Sequence, residues 1–168
     1  MNNQQELWWE QALSDYSVLV LLRSQGVAPC HQLHYLQMVT EKLAKAYFWR
    51  TGKAPPKCHS GFAQFLRSIG GVQPSKRDQV AKALAFKSFG GLQSWIRSIL
   101  PMAYDLERIA PALANNGPNP EYPWPHNSPT SSPVRSQFAV WDQLIATGRG
   151  RQFVQVIEYA VYRFPDYA

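Results

Sequence analysis

The chain has 168 residues, 45% of them hydrophobic, enough apolar material for one buried core and too much for a disordered chain. Two cysteines do not make a disulfide framework, and thirteen prolines without collagen-like or low-complexity periodicity mark loops between elements. The net charge of +6 is uneven, since residues 51–100 hold eight Lys and Arg against Asp78 alone, a local excess of +7 that leaves −1 for the remainder.

Trp8, Ala12, Leu13, Tyr16, Leu19, Val20 and Arg23 recur at the spacing of one helical face, which predicts a first helix from Gln4 to Ser24 closed by Gly26. The opening MNNQQELWWEQ has neither a basic region nor an apolar run, so it reads as no secretory signal or transit peptide. The strongly apolar run Val18 to Leu22 is far shorter than a bilayer span. The expectation is a cytoplasmic protein with no membrane contact.

Cys30 to Arg50 is the segment around which the others are expected to pack. Leu33, Leu36, Thr40, Leu43, Ala44 and Tyr47 keep helical spacing, and Tyr35, Met38, Val39, Ala46 and Phe48 fill most of the remaining circumference. Pro29 suits its first position and Gly52 its far end. The short link Gln25 to Ala28 makes it the antiparallel neighbour of the first helix.

A loop from Thr51 to Lys57 then leads to Phe62, Phe65, Leu66 and Ile69, a short third helix ending at Gly70 and Gly71. Ser75 with Asp78 has the spacing of a capping box and opens a fourth helix through Val80, Ala81, Leu84 and Phe86. Gly90 and Gly91 break the pattern, and Leu92, Trp95, Ile96 and Ile99 start one helix, Gly91 to Ala114, kinked at Pro101.

Asn115 to Pro133 carries six prolines and reads as a long loop, either a structural strap or a partner contact through Tyr122 and Trp124. Phe138, Trp141, Leu144 and Ile145 mark a further helix, a break falls at Gly148 to Gly150, and Phe153, Val156, Ile157, Ala160 and Val161 mark the last, which Phe164 and Pro165 end. No alternating strand pattern occurs. The predicted fold is all-α, a single domain over 1–168, an up-and-down bundle of six or seven helices.

Cys30, His31 and His34 near one helix start and Cys58 with His59 near another are zinc-type ligands, yet roughly 30 Å of helix separates the two groups and the short return loop recovers only part of it. The same distance disfavours a disulfide. Cys58 beside His59 is a poor nucleophile pair, because adjacent side chains diverge. No Gly-rich phosphate loop has the required continuation, and Asp105 and Glu107 face apart, so no catalytic residue, metal or cofactor is assigned.

The central segment LHYLQMVTEKLAKAYFWRTG resembles the second helix of HEPN domains, with Glu41, Lys42, Lys45, Ala46, Tyr47 and Gly52 at the corresponding positions. Lys57, Cys58, His59 and Ser60 before Phe62 and Leu66 resemble the loop-His element that opens the family's next helix. Trp8 or Trp9 with Ala12 and Asp15 is similar to its opening helix. The resemblance covers residues 6–70. It implies a helical bundle that often dimerises, found in toxin-antitoxin and defence systems, with some members cutting RNA and others binding nucleotides or proteins.

The RNA-cutting members carry Arg, four to six residues, then His. No histidine here has that spacing: seven residues intervene between Arg23 and His31, and eight between Arg50 and His59. The expectation is a non-catalytic binding module whose basic face, with Lys53, Lys57, His59, Arg67, Lys76, Arg77, Lys82 and Lys87 as candidates, takes a nucleotide, RNA or an acidic protein. One alternative is a divergent ribonuclease pairing His59 with Arg97 or Arg108. Another is a structural homodimer joined through Tyr122 and Trp124.

Overall fold

The computed structural model describes residues 1–52, 54–55, 61–125 and 131–168. Its described residues form eight α-helices: α1 (Asn3–Ser24), α2 (Pro29–Phe48), α3 (Phe62–Gly70), α4 (Arg77–Ala83), α5 (Phe89–Arg108), α6 (Ala139–Ala146), α7 (Gly148–Tyr162) and α8 (Phe164–Tyr167). The β pairing among those residues is one isolated antiparallel bridge between Trp124 and Ser131. The fold is all-α, with two short helices more than the lower expected number.

α1 begins at Asn3, one residue ahead of the periodic pattern, because Asn2 and Gln5 close a reciprocal capping box: the Asn2 side chain accepts the Gln5 N–H at 3.0 Å and the Gln5 side chain accepts the Asn2 N–H at 3.1 Å. It runs antiparallel to α2. Lys42 reaches Asp15 at 2.6 Å near mid-length, and the Asn2 amide donates to the Trp49 carbonyl at 2.9 Å near one end.

α2 has Pro29 at its first position and a 3-10 turn, Trp49–Thr51, that Gly52 closes at φ +72. Eleven of its twenty residues are buried, and it packs against α1, α3, α5 and α7. A helix covered on most sides is what its apolar circumference demands.

α3 buries Phe62, Phe65, Leu66 and Ile69. Its own N-cap, Gly61, has no side chain to offer. Glu107 of α5 supplies the acceptor instead, taking the Ala63 N–H at 2.9 Å from a buried position, while Gln37 of α2 donates to the carbonyls of Leu106 and Glu107 at 3.4 and 3.3 Å.

Several boundaries depart from the sequence pattern, each for a local reason. The Ser75–Asp78 capping box does not form: Pro74 starts a 3-10 turn one residue earlier, Ser75 lies inside that turn, and α4 begins at Arg77 with Lys76 at its N-cap and no side-chain cap. α4 stops at Ala83, since Ala85 adopts φ +62 and Phe86 donates back to the Ala81 carbonyl at 2.8 Å, a Schellman closure held by alanine.

Gly90 and Gly91 do not interrupt a helix. Both lie in the first turn of α5, which Ser88 caps by accepting the Gly91 N–H at 3.2 Å. α5 passes through Pro101 and ends at Arg108, six residues short of Ala114, because Pro111 disfavours helix at Ala110.

Thr147 alone separates α6 from α7. Its hydroxyl donates to the Gln143 carbonyl at 2.8 Å and accepts the Gly150 N–H at 2.9 Å, so Gly148 to Gly150 form the first turn of α7 and not a break. A Cβ on Gly150 would stand 2.6 Å from the Leu144 carbonyl oxygen, which explains glycine there. Phe164 and Pro165, expected only to end the last helix, open α8.

Burial raises the Glu107 carboxyl above its usual range, opposed by the N–H donors of Ala63 and Phe62. Relative to Glu107→Gln, the native protein should lose stability as pH rises from about 4.5 through this raised value, because the folded state then surrenders a proton that the unfolded chain released earlier. Parallel thermal melts across that range check the slope. Glu107→Ala, which leaves the α3 N–H groups without an acceptor, should cost about 2 kcal/mol in denaturant unfolding.

Candidate functional site

The five described members of the basic set, Arg67, Lys76, Arg77, Lys82 and Lys87, are all exposed. Lys53, Lys57 and His59 lie outside the described residues. Arg67 projects from α3 over the Tyr104 ring at 5.4 Å and Arg77 from α4 over Phe89 at 5.2 Å. The carbonyl of Lys82 accepts from Arg163 at 3.5 Å, which brings a further cation beside α4.

Ion pairs elsewhere involve other cations. Among the described residues Lys42 pairs with Asp15, Lys45 with Glu41, Arg108 lies 3.6 Å from Asp105, and His34 Nδ1 is 3.3 Å from Glu121. None of the five basic-face cations is in that set. α3 and α4 both pack against α5, and α4 also packs against α8, so these cations stand on elements that share α5 as their support.

A polar cleft of about 320 Å³ opens beside this face. Its walls include Arg50, Lys76, Ser68 and Tyr167. Arg50 stacks over the Tyr47 ring at 3.7 Å, and partial burial lowers its guanidinium from the usual value. Tyr167 is buried, its phenol raised well above its ordinary value by desolvation, and it donates to the Ala160 carbonyl at 2.8 Å. Tyr167 is therefore committed to the core and Arg50 and Lys76 supply the cleft's charge.

Arg50 is the residue that charge counting missed. It falls one position before the basic third of the chain, and its place at the end of α2 next to Trp49 was the available signal.

Two lysines of the central helix tie it to α1. Lys42 bonds Asp15, which also accepts from Gln11 at 3.0 Å, and Lys45 both pairs with Glu41 and lies 4.9 Å from the centre of the Trp8 ring. Among the described residues no three His, Cys, Asp or Glu side chains converge on a metal position; Cys30 is buried, and Cys58 and His59 lie outside that set. Arg97 donates to Ser94 at 3.2 Å on the surface of α5.

Of the two candidate contact aromatics, Trp124 turns inward. It is 4% exposed, packs on Phe138 at 6.3 Å between ring centres, and exchanges backbone hydrogen bonds with Ser131 at 3.0 and 2.9 Å. Asn119 fixes the approach by accepting the N–H groups of Glu121 and Tyr122 at 3.1 and 2.8 Å. Tyr122 stays 59% exposed and is the member of the pair with surface to offer.

No family model, curated protein or solved structure matches the chain.

Trp124→Ala should cost about 3 kcal/mol in denaturant unfolding, as removal of a buried aromatic does, whereas Tyr122→Ala should stay within about 0.5 kcal/mol of the native protein. If Tyr122 mediates self-association, its variant should also shift the sedimentation coefficient while leaving the unfolding midpoint in place.

Proposed function

We propose that the protein is a non-catalytic, HEPN-like helical bundle whose α3–α4 face binds an anionic partner: a nucleotide, RNA or an acidic protein surface. The observation that carries this reading is the set of exposed cations, Arg67, Lys76, Arg77, Lys82 and Lys87, on neighbouring elements and outside the described ion pairs. Like charges left together on a surface repel one another, and an anion removes that cost while gaining Coulomb energy. The cleft of Arg50 and Lys76, with the Ser68 hydroxyl, offers a phosphate group two cations and a donor at the edge of that face. The absence of an Arg-x(4–6)-His spacing supports binding without RNA cleavage.

RNA binding measured across a salt series is the direct test. The affinity should fall steeply on raising salt from about 50 to 200 mM, and Lys76→Gln, Arg77→Gln and Lys82→Gln together should lower the log-log slope by about 2 to 3. RNA should remain intact in the same samples. Affinity indifferent to salt overturns the basic-face reading, and cleavage that disappears with His59→Ala replaces it with the ribonuclease reading.

A further inference from the structure

A second cleft, of about 540 Å³, lies away from the basic face between α1, α2, α6 and α7. Its volume falls within the range of small-molecule sites, about 300 to 1,000 Å³. Leu19, Leu36 and Leu144, each almost wholly buried, form its apolar floor and the half-buried Trp141 a wall. An apolar floor with an aromatic wall selects a hydrocarbon or ring body.

The charges around it are two arginines and one glutamate. α1 and α7 run antiparallel: the Trp9 indole donates to the Val161 carbonyl at 2.7 Å, while Tyr16 meets Tyr162 edge-on at 5.6 Å and has Glu158 as an electrostatic neighbour. Seven residues onward along α1 from Tyr16 stands Arg23, and seven residues back along α7 from Glu158 stands Arg151. Both line the cleft, as does Glu158, so two guanidinium groups stand against one carboxylate and the rim keeps a net positive charge.

Arg151 is held in place there, donating to the Ile145 and Ala146 carbonyls at 3.1 and 3.2 Å. Two guanidinium groups against one carboxylate leave an excess of one cation beside an apolar pocket, which complements a single anionic head.

We propose that this cleft binds a small apolar carboxylate, with its hydrocarbon or ring body on Leu19, Leu36, Leu144 and Trp141 and its carboxylate between Arg23 and Arg151. The site is separate from the α3–α4 face and does not depend on that face binding anything.

Decanoate, titrated below its micellar concentration, is the probe, followed by calorimetry and by methyl resonances of Leu19, Leu36 and Leu144. Saturable one-to-one binding that shifts those methyls is expected. Arg23→Gln, a change on an exposed helix end that leaves the α6 cap intact, should weaken it about fivefold, and decanol, with the same chain and no charge, should bind at least about fivefold more weakly than decanoate. Lys82→Gln on the basic face should leave the decanoate affinity unchanged. Absence of saturable binding, equal binding of decanol, an unaffected Arg23→Gln variant, or loss of affinity in Lys82→Gln each overturns the proposal.

Discussion

The carboxylate of Glu107 is the joint on which the middle of this molecule depends. α3 has nine residues, too few to be stable as an isolated helix, and begins on a glycine that supplies no cap. Glu107 satisfies its N-terminal N–H groups from α5, and Gln37 satisfies carbonyls at the end of α5 from α2. Three helices thus complete one another's unpaired backbone groups in a place that water does not reach. The apolar contacts of Phe62, Phe65 and Tyr47 surround the same junction, with ring centres 5.1 to 5.7 Å apart. Hydrophobic burial supplies the cohesion there, and the polar contacts fix which ends of the helices meet.

Charge is distributed by a related logic. Where α1 and α2 pack, acids and bases are matched across and along the helices: Asp15 with Lys42 and Glu41 with Lys45. These pairs are partly shielded from water, and each partner offsets the desolvation of the other. On α3 and α4 the cations stand on the surface instead, two of them with the guanidinium over an aromatic ring that holds the group without neutralising its charge. Cations at the α1–α2 seam are neutralised there, and those on α3 and α4 stand outside the described ion pairs.

The sequence was most informative where a single helix decides its own limits. Pro29 and Gly52 frame α2 in the structure as their backbone preferences require, and the apolar circumference of Leu33 to Tyr47 corresponds to a helix buried on most sides. It was least informative where the limit depends on a neighbour. The Ser75–Asp78 spacing was sound but Pro74 took the turn first, and the paired glycines at 90 and 91 read as a break because the Ser88 cap that accommodates them lies one residue outside the pattern. The role of Glu107 was invisible, since the group it serves is 44 residues away. The arginines at 23 and 151 are brought to one cleft only by the antiparallel packing of α1 on α7, which no local spacing encodes.

That packing also imposes an order on folding. The face of α1 that carries Trp9 and Tyr16 is covered by α7 and α8, through the Trp9 bond to Val161, its stacking on Phe164 at 6.2 Å, and the Tyr16–Tyr162 contact. The partners of Trp9 lie 152 residues further along the chain. At ribosomal rates of about 5 to 20 residues per second, they emerge about 8 to 30 s after Trp9 itself. During that interval α1 can dock on α2, its sequence neighbour, but two large aromatic rings stay in water. The nascent chain therefore carries a temporary apolar surface on α1, which only α7 and α8 remove, and a chain cut short before α7 would keep it permanently.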